Sequence, residues 1–394
     1  MAVLEDYLRE WGQYSFKKRP LTEADLLIFN SLGYLPFDQI LRRCPQLIDT
    51  DGASRFEDVF RQFSAHHQDF EHHNPLMINP PRVRNWTVAA HSPRYRNLRL
   101  MHFVTERHNN EQMTEQFSAY TVDLSPDNGH LIVYKGTDQN LAGWYENFLL
   151  ATKGVMPSHL SAQKYCNQIL KYTSGPVMLT GYSKGGSLAI YAAAFCDQPE
   201  RLSHIITFDS PGFQADFLET KEYQAIEQKI NRYVPEDSIV GMILKHTREP
   251  IVIKSHLFSV IQHFLFLWEI DLETGDLQRD IDNDFHIHTI NQIAERWTEH
   301  YSAEDLAFYL DLIYSILQSL GIENVYQIFE QWTNIVKDFQ QKLGEETPET
   351  QEKFASMSSE FMAIARSTVR DNIGKPFEGW ANYKEQLKDL FKKK

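Results

Sequence analysis

Gly181-Tyr182-Ser183-Lys184-Gly185 stands between an apolar, partly β-branched stretch, Val177-Met178-Leu179-Thr180, and the helix-forming run Gly186-Ser187-Leu188-Ala189-Ile190-Tyr191-Ala192-Ala193-Ala194-Phe195. A strand followed by a sharp turn and a helix is the context in which Gly-x-Ser-x-Gly forms a nucleophile elbow. The turn forces the serine backbone into a strained conformation, so small residues must flank it where strand and helix approach each other. Its hydroxyl is then lifted to the C-terminal edge of a sheet, beside a helix N-terminus that favours negative charge. An ordinary Gly/Ser connection between strand and helix is the plainer alternative, and the two flanks argue against it.

Elsewhere the pattern is alternating. Residues 1–80 are expected to be mostly helical, with Thr22-Glu23-Ala24-Asp25 as a capping-box start ahead of Leu26-Leu27-Ile28-Phe29. Strands are expected over Leu98 to Val104, Phe117 to Leu124 and Leu131 to Tyr134, the last two joined by the turn residues Ser125-Pro126-Asp127-Asn128-Gly129. Strand and helix patterns then alternate to about residue 270, which predicts a mostly parallel sheet covered by helices on both faces. From His286 the helical period dominates: Leu306, Leu310, Ile313 and Leu317 form one face, and Phe354, Met357, Phe361 and Ile364 another. A polar link is expected over Gly344 to Thr350. These signals divide the chain into a helical extension at 1–80, an α/β core at 81–285 and a helical region at 286–394.

A serine hydroxyl becomes a useful nucleophile only with a base in reach and a third group orienting that base. On an elbow of this kind the partners follow in the order Ser, Asp or Glu, then His. Asp237 comes first as the acid, because it follows the expected strand Lys229 to Val234, with Glu236 beside it as a competitor. Asp209, in the Asp209-Ser210-Pro211-Gly212-Phe213 loop after Ile205 to Phe208, ranks second as acid and first as a substrate contact, together with Tyr182. Among sixteen histidines, His246, His256 and His263 follow closely, and His263 is placed first as base, with His256 its rival. The backbone N–H groups of Lys184 and of Thr137, in Tyr134-Lys135-Gly136-Thr137-Asp138, are the expected oxyanion donors, with Trp144 and Asn147 downstream to fix that loop. Phe258, Phe264, Phe266 and Trp268 are candidates for an acyl pocket or for core.

Composition excludes other classes. The net charge of -14 opposes a nucleic-acid surface. Cys44, Cys166 and Cys196 make neither a disulfide framework nor a zinc spacing. No cofactor is expected, because the chain has no His-Glu-x-x-His, no P-loop and no dinucleotide glycine run. The start Met1-Ala2-Val3-Leu4-Glu5-Asp6 lacks a secretion pattern and no stretch has the length of a membrane span, so a cytoplasmic protein is expected.

These motifs in this order resemble an uncharacterised family of α/β-hydrolase-like proteins found mainly in Gram-positive bacteria. The residues that carry the likeness are Val133 to Asp138 with Trp144, Leu179 to Gly186, Thr207 to Phe213, Val234 to Gly241, and Gln262-His263 with Trp268. Ala24 to Leu27 and Leu32-Gly33-Tyr34-Leu35-Pro36-Phe37 extend it toward the start. Over residues 95 to 270 the chain is similar in turn to class 3, fungal-type triacylglycerol lipases, except that Tyr182 stands where those lipases usually carry a histidine. The resemblance implies an α/β-hydrolase fold and a serine hydrolase acting on a small-molecule or lipid ester, with nucleophile Ser183, oxyanion loop Gly136-Thr137, acid Asp237 and base His263. The alternative is a non-catalytic binding or scaffold protein that keeps the fold.

Overall fold

The computed structural model describes residues 2–66, 78–110, 113–137, 141, 145, 154–236, 238, 240–255, 262–280, 292–293, 296–297, 300–323, 327–328 and 331–373. Its centre is an eight-stranded sheet whose spatial order equals the chain order. The strands are β1 (Ala53–Arg55), β2 (Arg99–Asn110), β3 (Met113–Asp123), β4 (His130–Tyr134), β5 (Val177–Tyr182), β6 (Leu202–Phe208), β7 (Ile230–Pro235) and β8 (Ile251–Ile253). β1 to β4 pair antiparallel, whereas every pairing from β4 to β8 is parallel. The parallel strands read as continuous apolar runs because both faces are covered. Ile132 and Leu179 face one buried cluster; Leu131 and Val133 face the other.

Among the described residues five α-helices precede the parallel half: α1 (Leu4–Trp11), α2 (Glu23–Leu32), α3 (Phe37–Arg43), α4 (Phe56–Ala65) and α5 (Pro80–His91). They are not a separate layer. Leu4, Tyr7, Leu27, Phe29, Phe56 and Trp86 share one buried cluster with Leu131, Val133, Phe208 and Trp268. Polar bonds add to this: Asn30 Nδ2 donates to Thr180 Oγ1 on β5 at 2.9 Å, and Trp11 Nε1 donates to the Leu272 carbonyl at 2.8 Å. The expected helical extension therefore also supplies the sheet's first strand, β1.

On the opposite face lie α6 (Pro157–Tyr172) and α7 (Lys184–Phe195), followed by the short α8 (Ala215–Leu218) and α9 (Lys221–Ile226). Cys166 and Cys196 are buried among Tyr165, Ile169, Leu188 and Ala192 on this side, as small core residues. Further on come α10 (Ala303–Ser319), α11 (Trp332–Glu345) and α12 (Pro348–Ile373). Ser302 caps α10 by accepting from the Asp305 N–H at 3.1 Å, and Gly321 ends it at φ 73°. The polar link expected over Gly344 to Thr350 is shorter than its composition suggested: α11 runs to Glu345 and α12 starts at Pro348, which suits the first turn of a helix because its missing N–H is not needed there. No described helix is long and apolar enough to cross a membrane.

Candidate active site

The turn after β5 has the strained geometry its sequence demands. Ser183 has φ 57° and ψ −133°, a region that is costly for any side chain but glycine's. A Cβ on Gly181 would lie 2.0 Å from the Gly185 carbonyl oxygen, and one on Gly185 would lie 2.1 Å from that of Tyr134. Only bare backbone allows strand and helix this close. The Ser183 N–H donates to the Phe208 carbonyl at 2.9 Å, which ties the turn to β6. The residue is 7% exposed. α7 starts immediately afterwards, so the Lys184 N–H belongs to the first turn of a helix. Its ammonium reaches away from the turn, to the Gln116 carbonyl on β3 at 2.6 Å.

The loop after β4 lies against the elbow. A Cβ on Gly136 would sit 2.5 Å from the Tyr182 carbonyl oxygen and 3.2 Å from Ser183 Cβ. That contact brings the backbone next to Thr137, itself buried, to the side of the serine where the expected oxyanion donor belongs. Asp138, Trp144 and Asn147 lie outside the described residues.

β6 ends as β5 does. Asp209 has φ 44°, its N–H donates to the Tyr233 carbonyl at 2.8 Å, and its side chain is buried. Its carboxylate meets the imidazole of His263: Nδ1 stands 2.6 Å from Oδ2. A carboxylate accepts only, so the proton of this bond is carried by Nδ1. The other oxygen, Oδ1, accepts from the Ser238 hydroxyl and from the Gly241 N–H, the latter at 2.9 Å. Beneath these, Arg232 on β7 is buried and donates to the Gly241 carbonyl. Burial pushes its pKa down to about 10, against the pull of Asp209.

His263 is braced from the backbone as well. The Tyr182 hydroxyl donates to the His263 carbonyl at 2.8 Å, and its ring centroid is 4.7 Å from that of the imidazole. Trp268 Nε1 donates to the Gln262 carbonyl at 2.7 Å. Burial holds the Tyr182 phenol protonated well above its ordinary range, so it remains a donor.

The structure thus brings together Ser183, Gly136-Thr137, the start of α7, Asp209 and His263 at one sheet edge. Asp237 and His256, expected as acid and as rival base, lie outside the described residues; the carboxylate found on the imidazole is that of Asp209. Glu236 is half-buried beyond the end of β7. His246 is held by burial, then by Arg232, well below the usual imidazole range, which suits a neutral ring packed beside Gly212. Tyr182, expected to touch substrate, is 1% exposed and spends its hydroxyl on the His263 carbonyl. Phe266 and Trp268 belong to the core, Phe264 packs at its margin, and Phe258 lies outside the described residues. Ser238 and Arg232 were not singled out by the sequence; the available signal was their place within β7 and just after it, beside the strand that leads into Asp209. Among the described residues no cluster of His, Cys, Asp and Glu is arranged to hold a metal ion.

The chain belongs to the Mbeg1-like family, whose model matches residues 89–315, more than half of its length. No curated protein matches it. Among solved structures it is similar to the crystal structure of M37 lipase, at 13% identity and a TM-score of 0.31, over 78% of this chain and 96% of that one. The mostly parallel sheet, the elbow and the flanking helices are consistent with the α/β-hydrolase fold, in a lipase-like family.

Proposed function

We propose, with membership of this lipase-like family as the premise, that the chain is a serine hydrolase that cleaves a carboxylic ester through an acyl-enzyme at Ser183. The observation that carries the reading is the 2.6 Å bond between His263 Nδ1 and Asp209, made at the sheet edge where Ser183 occupies a positive-φ turn. Fold alone would not carry it.

In this reading the Ser183 hydroxyl adds to the ester carbonyl carbon while His263 Nε2 takes its proton. The carbonyl oxygen becomes an oxyanion, met by the N–H groups of Lys184 and Thr137 and favoured by the N-terminus of α7. His263 then returns the proton to the departing alkoxide, and the C–O bond breaks to leave an alcohol and an acyl-serine. Water repeats the sequence and releases the acid. Asp209 keeps the imidazole in the tautomer that accepts at Nε2 and stabilises the imidazolium. The acid of the constellation is therefore assigned to Asp209, and the substrate to the class of small-molecule or lipid esters.

The test is hydrolysis of p-nitrophenyl esters of rising chain length, with fluorophosphonate labelling read by peptide mass. Label is expected on Ser183, and Ser183→Ala is expected to abolish it and to lower kcat by about 10^4- to 10^6-fold. Turnover unchanged in Ser183→Ala would end the proposal.

A further inference from the structure

Among the described residues three bonds hold His263 and its neighbour Gln262 in place, and one of them comes from the elbow itself. Asp209 takes the ring at Nδ1, and Trp268 holds the carbonyl of the preceding residue, Gln262. The third is the Tyr182 hydroxyl on the His263 carbonyl, at 2.8 Å. Tyr182 and Ser183 share a peptide bond, so this contact connects the base directly to the neighbour of the nucleophile.

Tyr182 is buried, so a substrate cannot reach its phenol without displacing core. Its ring lies under the imidazole at 4.7 Å with a tilt of 33°, and meets Tyr34 edge-on at 6.2 Å. The phenol has one proton to donate and gives it to a backbone carbonyl that no other described residue satisfies. Side-chain donors that pin a loop backbone set where that loop's own side chain can point, and near a reacting centre an ångström of drift is costly.

We propose that Tyr182 is a positioning residue for His263: its hydroxyl sets the separation of base and nucleophile by tethering the His263 backbone to the residue before Ser183. This rests on the serine-hydrolase reading above. It replaces the substrate-contact role expected of Tyr182 from the sequence, and it gives a physical reason for a tyrosine where related lipases usually carry a histidine.

The variant that tests it is Tyr182→Phe, which removes one oxygen and keeps the ring. With p-nitrophenyl butyrate, kcat is expected to fall about tenfold, KM to stay within about twofold, and Ser183 labelling by a fluorophosphonate to slow in parallel. The melting temperature is expected to move by only a few degrees, and the downfield proton resonance of the His263–Asp209 bond to broaden as the ring gains freedom. A raised KM with unchanged kcat would overturn the proposal in favour of a substrate contact. Unchanged kcat, KM and labelling would reduce Tyr182 to packing, and a chain that no longer folds would mean that the hydroxyl holds the fold and not the base. Wild-type protein that takes no label at all would sink the serine-hydrolase reading itself, a result distinct from each of these.

Discussion

Among the described residues two aspartates are fully buried, and they are surrounded very differently. Asp25, on α2, receives Arg94 Nε at 2.7 Å and Nη2 at 2.5 Å, the Tyr95 hydroxyl, and the Thr22 N–H at 2.9 Å. Burial opposes the Arg94 charge, yet its bonds to Asp25 hold the guanidinium protonated well above its ordinary range. Both side chains of that pair are 0% exposed. Asp209 is equally withdrawn, but one of its oxygens meets an imidazole whose side chain is 20% exposed. The first carboxylate is saturated by buried donors, and Arg94 goes on to donate to the carbonyls of Tyr14, Arg19 and Pro20, so the bonds complete the packing of α2 against residues 92–95. The second is held rigid on one oxygen and offers the other to a ring that reaches solvent. Burial and hydrogen bonding alone do not separate the two; the proposed function turns on the partner of the second, which can itself exchange a proton.

The contrast can be broken by substitution. Asp209→Asn keeps shape and removes charge, and its amide can no longer fix the His263 tautomer; kcat on a p-nitrophenyl ester is expected to fall about 10^4-fold with a small change in melting temperature. A large stability loss with activity per folded chain preserved would make Asp209 another Asp25. Asp25→Asn is expected to do the reverse. It leaves the Arg94 charge buried without its counter-ion and should cost about 3–5 kcal/mol in urea unfolding, with kcat per folded chain unchanged. Ser238→Ala sharpens the comparison with the smallest effect: it removes one of the two donors on Asp209 Oδ1, so kcat should drop by about three- to tenfold and stability by about 1 kcal/mol. If Ser238→Ala and Asp209→Asn were equally damaging, the Oδ1 side would be controlling the site and not merely steadying it.

Much of this was legible in the residues. The elbow was, because its glycines are required by contacts of 2.0–2.1 Å that no side chain survives, and such positions leave a mark in sequence. The succession of strands along the chain was legible from β2 onward, through turn residues and apolar runs. β1, three residues long inside a helical stretch, carried too little periodicity to be seen. The acid was harder. Asp209 and Asp237 both follow a strand of the parallel half, and their spacing looks equivalent along the chain. Asp209 turns its backbone to φ 44°, and its carboxylate meets a ring 54 residues further on. That turn is made by β7 alongside it, through the Tyr233 carbonyl and the Ser238–Gly241 donors, and a long-range constraint of this sort leaves no local pattern. Tyr182 misled for a similar reason: next to a nucleophile an aromatic suggests substrate, until a carbonyl 81 residues away is found on its hydroxyl.

The strands lie side by side in the order in which they are synthesised. Each new strand emerging from the ribosome therefore finds its docking edge already built, and no earlier pairing must open to admit it. Such growth keeps most strand pairing between close neighbours along the chain. Closure comes late, when residues 268–277 return to residues 2–23: Ile270 bridges Ala2, Trp11 donates to Leu272, and Glu23 accepts from the Leu277 N–H. His263 lies just ahead of that closing segment, so the imidazole follows all eight strands along the chain, and the strained serine is synthesised well before the ring that the proposed function assigns as its base.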